Sequence, residues 1–164
     1  MFMAKVHIVS WRETYPGMLP ERMLGRLSIA DEAIRWQRML DRPRAWGDAV
    51  SFVADQQGTI VGYGTCGDQR MPTLRSRGFT SEVTELYVLQ SAQRQGAGSG
   101  LMKAMAAALM ERGHQAMCLW VLKENQVARH FYKSLGGTLF AEKRSSLAEV
   151  AYGWVDLPGL SSIA

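Results

Sequence analysis

Several things are scarce in this 164-residue chain. It has two cysteines, Cys66 and Cys118, far apart and each inside an apolar stretch. A buried, reduced pair is therefore expected rather than a disulfide framework. None of the three histidines (His7, His114, His130) stands beside a cysteine in metal-ligand spacing, so no metal site is expected. No apolar run approaches the ~20 residues of a membrane-spanning helix. The opening Met1-Phe2-Met3-Ala4-Lys5 is interrupted by His7, Ser10 and Arg12, which does not suit a signal peptide. A soluble cytoplasmic protein with no membrane partner is the expectation. Charge of one sign is sparse too: 19 Lys and Arg against 15 Asp and Glu leave +4. The best basic groups, Arg70, Arg75, Arg77 and Lys143-Arg144, are not dense, and no nucleic-acid partner is expected.

What is present suits one packed domain over residues 1–164. Apolar residues make up 47% and charged residues 21%, which excludes wholesale disorder. Residues 4–15 read as a helix, with Phe2, Val6 and Val9 at helical spacing and Pro16-Gly17 as its stop. A short helix follows Pro20. Ser28 reads as an N-cap with Asp31 three residues on, opening a helix whose stripe is Ile29, Ala33, Trp36 and Leu40. The period then changes. Residues 49–54 and 59–68 predict strands joined by the turn Asp55-Gln56-Gln57-Gly58. Residues 70–80 read as a loop. Residues 82–89 predict a third strand with Val83, Glu85, Tyr87 and Leu89 on one face. A helix over 99–112, a buried strand over 116–122, a helix over 126–135 and a hairpin of 138–144 with 149–156 complete the chain. Helical crossovers alternating with hairpins indicate an α/β fold with a mixed sheet.

The most informative segment is Gln93-Arg94-Gln95-Gly96-Ala97-Gly98-Ser99, between a strand and a helix. Glycines let successive N–H groups converge on one point. The helix start adds partial positive charge, and Arg94 adds a full one. Such a loop suits a diphosphate, although a plain flexible turn has the same composition. It is not a P-loop, because Lys103 comes too late. It is not a dinucleotide fingerprint, because Leu101 stands where a third glycine belongs.

Gln93-x-x-Gly96-x-Gly98 at this junction resembles the acyl-CoA pyrophosphate loop of the GNAT N-acetyltransferase superfamily. The run Leu119 to Gly136, with Asn125, Ala128, Phe131-Tyr132 and Leu135-Gly136, resembles that family's second motif. Trp11-Arg12-x-x-Tyr15-x-Gly17-x-Leu19-Pro20 and Tyr152-Gly153-Trp154-x-Asp156-Leu157 resemble the ends of bacterial members. The resemblance implies a mixed, mostly antiparallel sheet with helices on both faces. It also implies direct acetyl transfer from acetyl-CoA to an amine. The family normally opens with a strand, and here only Met1 to Met3 precede the helical pattern. Either the reading frame opens upstream or the strand is absent; a sheet without it, its hairpin edge exposed and open to a homodimer partner, is the expectation.

By the same resemblance, Leu86, Tyr87 and Val88 pair with pantetheine and supply the oxyanion donor. Gln93, Arg94, Gln95, Gly96, Ala97, Gly98 and Ser99 hold the pyrophosphate. Tyr132 matches the general acid for the departing thiolate; its alternative role is a core aromatic beside Phe131. Asn125 caps its helix, contacts the cofactor, or both. Glu85 is the candidate base, against a salt-bridged carboxylate, with Glu82 a weaker substitute. His130 reads as a surface or packing residue. Trp120 occupies the place of a glutamate used by relatives that acetylate protein N-termini, which directs the expectation to a small-molecule amine. Trp11, Tyr15 and the loops 70–80 and 145–148 border the acceptor region, and Trp36 reads as core. A non-catalytic acetyl-CoA-binding regulatory module is the alternative.

Overall fold

The computed structural model describes residues 2–161. Its elements are α1 (Phe2–Thr14), α2 (Glu21–Leu24), α3 (Ile29–Asp41), β1 (Val50–Gln56), β2 (Thr59–Asp68), α4 (Pro72–Arg75), β3 (Ser81–Val88), α5 (Ala97–Glu111), β4 (Met117–Leu122), α6 (Gln126–Ser134), β5 (Thr138–Arg144), β6 (Ala148–Trp154) and α7 (Leu157–Ser161). The six strands are ordered β1-β2-β3-β4-β6-β5. β3 and β4 run parallel, while β4 with β6 and β5 with β6 run antiparallel. The described chain opens directly on α1, and no strand precedes β1 among the described residues, as the motif comparison anticipates. Met1, part of that expectation, lies outside them.

The chain divides into two compact units. The first comprises Met1–Thr65 with Glu85–Met102 and holds α1, α3, β1, most of β2, the second half of β3 and the glycine loop. Ser28 caps α3, its hydroxyl accepting from Asp31 N–H at 3.3 Å, so the start of that helix was legible in the sequence. The β1–β2 hairpin closes on Gln57 and Gly58, both at positive φ (53° and 82°), with Asp55 accepting from Gly58 N–H at 2.8 Å. The core joins Ala4, Val6, Trp36, Met39 and Tyr63, with Tyr87 and Leu89 packed against it. Burying such large side chains stabilises by about 1.5–3 kcal/mol each. β2 and β3 approach closely at Gly62, where a Cβ would stand 2.9 Å from Tyr87 O. Only glycine permits that approach.

Two helical stripes differ from expectation. On α3 the inward residues are Trp36 and Met39, with Glu32 and Arg35 beside them, whereas Leu40 is 58% and Ile29 43% exposed. On α1, Phe2 lies outward and Ala4, Val6, His7, Ile8 and Ser10 are buried. The reason is the same for both. The sheet face they cover carries Tyr63, Glu85 and Tyr87, so His7, Glu32 and Arg35 face inward to meet polar partners, whereas the buried Ser10 hydroxyl has none among the described residues.

The second unit comprises Cys66–Thr84 with Lys103–Ala164. β4 lies at its centre, paired with β6 over Met117↔Trp154 to Leu122↔Glu149. β3 meets β4 through Ser81↔Met117 and Glu82↔Cys118, both at its N-terminal end. Leu74, Phe79, Ala116 and Cys118 form a core with Trp120 and Phe140 against it. Gly153 is required there, because a Cβ would overlap the Phe79 ring. Both cysteines are free and buried, and burial pushes each thiol up to about 12.

Candidate active site

The glycine loop follows β3 through a short 3-10 turn, Gln90–Ala92. Gln93 reaches back to donate to Val88 O at 3.1 Å, tying the loop to the end of the strand. Gln95 is held from two sides, donating to Ser91 O (2.9 Å) and accepting from Gln56 (3.0 Å). Arg94 and Gly96 both adopt positive φ, 61° and 88°. A Cβ at Gly96 would meet nothing within 4 Å, so the turn faces open space. Gly100 N–H closes the first helical turn on Gly96 O at 2.9 Å. Among the described residues, the N–H groups of residues 95–99 make no well-formed backbone hydrogen bond. A row of unpaired amides at the start of the 15-residue helix α5, with exposed Arg94 beside it, is a ready-made anion cradle.

Leu86, Tyr87 and Val88 lead into this loop on the half-buried end of β3. Beneath them lies a polar cluster that the sequence did not signal. Arg35 forks onto Glu32 (Nε to Oε1 and Oε2, 2.9 and 3.0 Å) and also contacts Glu85 Oε1 at 2.7 Å. Tyr63 donates its hydroxyl to Glu85 Oε2 at 2.9 Å. His7 Nδ1 lies 2.8 Å from the same hydroxyl and 3.3 Å from Glu32 Oε1. Both oxygens of Glu85 are thus engaged. Two carboxylates face one guanidinium, and the pairing keeps Arg35 charged at every working pH. Burial pushes the Glu85 carboxyl above its ordinary value, against the opposing pull of Arg35 and the Tyr63 hydrogen bond. Burial lowers His7 to about 4, outweighing the attraction of Glu32, so its imidazole is neutral at pH 7. Trp11 stacks on His7 at 5.0 Å, Tyr87 lies 5.0 Å from it, and Tyr15 meets Trp11 edge-on at 5.1 Å. Trp36 is core, 3% exposed, and edge-on to Tyr63.

The remaining candidates belong to the second unit. Asn125 is buried and caps α6, its Oδ1 accepting from Ala128 N–H at 3.1 Å. Tyr132 is buried between Phe131, Tyr152 and Trp154, with ring centroids 5.4 to 6.1 Å away. Glu82 is buried and paired with Arg70. His130 is exposed on α6 with Nδ1 2.7 Å from Gln126 O. Trp120 lies under the Lys143 ammonium, 4.4 Å from its ring centre. Among the described residues no group of three or more His, Cys, Asp or Glu could hold a metal ion. No described helix is long and apolar enough to cross a membrane.

Comparison with known proteins agrees with this geometry. The acetyltransferase (GNAT) family model matches residues 14–137. The N-acetyltransferase YuaI of Bacillus subtilis is 30% identical over 165 residues, covering 98% of this chain and 90% of YuaI. The PaiA N-acetyltransferase of Thermoplasma acidophilum, solved in complex with coenzyme A, superposes with a TM-score of 0.73 at 18% identity, covering 92% of this chain and 90% of that one. YncA of Salmonella typhimurium, a putative acetyltransferase solved with acetyl-CoA, gives 0.65 at 19% identity over 93% and 87%. The chain belongs to the acetyltransferase (GNAT) family, the acetyl-CoA-dependent N-acyltransferases.

Proposed function

We propose that this chain acts as a single catalytic domain, moving an acetyl group from acetyl-CoA directly to the primary amine of a small molecule. The observation that carries the reading is the glycine loop: amides of residues 95–99 without backbone partners, at a helix start, around an open turn at Gly96. A pyrophosphate matches that array in charge and in acceptor number. Gln93 and Arg94 flank it. Leu86, Tyr87 and Val88 offer backbone groups for pantetheine and for the oxyanion. Among the described residues the register pairs of β3 with β4 lie at the start of β3, which supports that assignment. Asn125 fixes the start of the helix that carries Tyr132.

The chemistry sets the remaining roles. The amine attacks only when neutral, so its proton goes to Glu85 as the base. The departing thiolate, with a thiol pKa of roughly 8.5 in the free state, takes a proton from Tyr132. Trp120 in place of a carboxylate supports a small-molecule acceptor over a protein N-terminus. The outer edge of β1, terminal in the strand order, supports a homodimer. We place the enzyme in the cytoplasm, in keeping with its buried free thiols.

The test is release of free CoA from acetyl-CoA across a panel of small amines, with Tyr132→Phe beside the wild type. Turnover of at least one amine, reduced at least tenfold in the variant, is the expected result. The full engagement of Glu85 favours one second reading, an acetyl-CoA-binding regulatory module without catalysis. Thermal stabilisation by CoA with no turnover of any amine would select it.

A further inference from the structure

Both oxygens of the proposed base already have a side-chain partner. Glu85 is 15% exposed, with Oε1 on Arg35 and Oε2 on Tyr63. An amine cannot displace Arg35 without breaking a buried ion pair. The other route runs through Tyr63, whose hydroxyl bridges Glu85 Oε2 at 2.9 Å and His7 Nδ1 at 2.8 Å.

A phenol has one proton. While Tyr63 donates it to Glu85, the His7 contact is a hydrogen bond only if Nδ1 is the donor. Glu32 favours the same tautomer. Its Oε1 lies 3.3 Å from Nδ1, and a carboxylate can only accept. The proton therefore resides on Nδ1, and the lone pair of His7 is on Nε2, for which no protein partner exists among the described residues.

We propose that His7 receives the acceptor's proton and passes it through Tyr63 to Glu85. The amine N–H proton moves to Nε2 as its nitrogen bonds the acetyl carbon. The Nδ1 proton moves to Tyr63 Oη, and the Tyr63 hydroxyl proton moves to Glu85 Oε2. The amine has lost one proton, Glu85 has gained one, and Tyr63 and His7 end neutral. Return of the proton to solvent by the same route resets the tautomer. This inference rests on the acetyltransferase reading for its substrate and deepens it. Glu85 becomes the terminal proton acceptor, His7 the group that meets the amine, and Arg35 and Glu32 positioning residues.

The surroundings suit that flow. Facing His7 are Glu32 and Arg35 from α3, Tyr63 from β2, Tyr87 from β3 and Trp11 from its own helix, with Glu85 one step behind Tyr63. The transfer places a proton on one of two carboxylates that share a single guanidinium, which relieves their mutual repulsion. Burial already holds the Glu85 carboxyl above its ordinary value and His7 neutral at pH 7. His7 is thus an unprotonated relay rather than a stored cation. Its ring also lies against Tyr87, next to Val88 and the strand end assigned to pantetheine.

The decisive measurement is nitrogen-15 NMR of the histidine side chains in the full-length protein. We expect His7 as the Nδ1–H tautomer at pH 7, still neutral at pH 5. A proton on Nε2, or a His7 that titrates near 6.5, overturns the relay. The second measurement is acetyl-CoA hydrolysis, with water in place of the amine, so no acceptor need be known. Tyr63→Phe keeps the ring and its packing. It should lower the rate at least fivefold, leave the KM for acetyl-CoA within twofold, and abolish the solvent deuterium isotope effect of the wild type. A variant as fast as the wild type, with its isotope effect intact, overturns the relay. Loss of CoA binding in the wild type would instead sink the acetyltransferase reading and leave the tautomer result standing.

Discussion

Replacing Arg35 with methionine probes the polar cluster most directly. Among the described residues the guanidinium is the one cation facing Glu32 and Glu85, whose side chains are 11% and 15% exposed. Methionine retains the stem and removes the charge, leaving two buried carboxylates facing each other. Breaking a buried ion pair costs about 3–5 kcal/mol, and the 28% exposure of Arg35 places this case at the lower end. A loss of about 3 kcal/mol corresponds to a fall in Tm of roughly 6–12 °C for a chain of this size.

The pH dependence has a definite sign. Glu85 already has a folded-state value above its unfolded one, so its contribution favours folding at low pH and is lost as pH rises through the folded value. Removing Arg35 removes the attraction that holds that value down and raises it further. The penalty should therefore be largest at alkaline pH, and should shrink as pH falls and Glu85 takes up a proton. Calorimetry at several pH values measures this, with Arg35→Met/Glu85→Gln as the compensated control recovering more than half of the loss. A Tm change under 2 °C, or one identical at pH 5 and pH 8, would refute the assignment of Arg35 as the charge that holds both carboxylates.

Other consequences are open to simpler measurement. Gly96→Glu places a negative, β-carbon-bearing residue at φ 88° in the anion cradle; CoA should no longer raise the Tm, while circular dichroism stays that of the wild type. Asn125→Ala removes the cap of α6 and should cost about 1 kcal/mol, read as a Tm lower by roughly 2–4 °C. Cys66 and Cys118, with thiols pushed up to about 12, should stay unreacted with a disulfide reagent at pH 8 until denaturant is added. Fast labelling of either in the native protein would contradict their burial.

Much of the architecture is legible in the residues because local rules and tertiary context agree. The bounds 59–68 and 138–144 are read correctly as arms of hairpins, the Ser28 cap from its hydroxyl and Asp31, and the glycine loop from its position between strand and helix. Two smaller elements, the 3-10 turn Pro43–Trp46 and α7, are too short to carry a period. The α3 stripe is right at Ala33 and Trp36 and wrong at Ile29 and Leu40, for a physical reason. Glu32 and Arg35, three residues apart, look like an exposed helical ion pair, and nothing in their spacing reveals a buried third partner on a strand fifty residues away. Leu40 and Ile29 look buried because they are apolar, yet the sheet beneath them asks for charge. His7 is invisible for a similar reason: its partners, Tyr63 and Glu32, come from different elements. A polar residue at an inward position of α1 was the available signal.

Ser28 has one more consequence. By starting α3 where it does, the cap sets the rotation of the whole helix, and Glu32 and Arg35 follow four and seven positions later, on the same side after about one and two turns. A residue inserted between Ser28 and Glu32 turns every later side chain by about 100° and brings Ile34 to the ionic face; a deletion turns the helix the other way and brings Leu40. When distant homologues are sorted by whether they share this chemistry, the count from the capping hydroxyl to the carboxylate in the place of Glu32 is thus a sharper criterion than overall percentage identity.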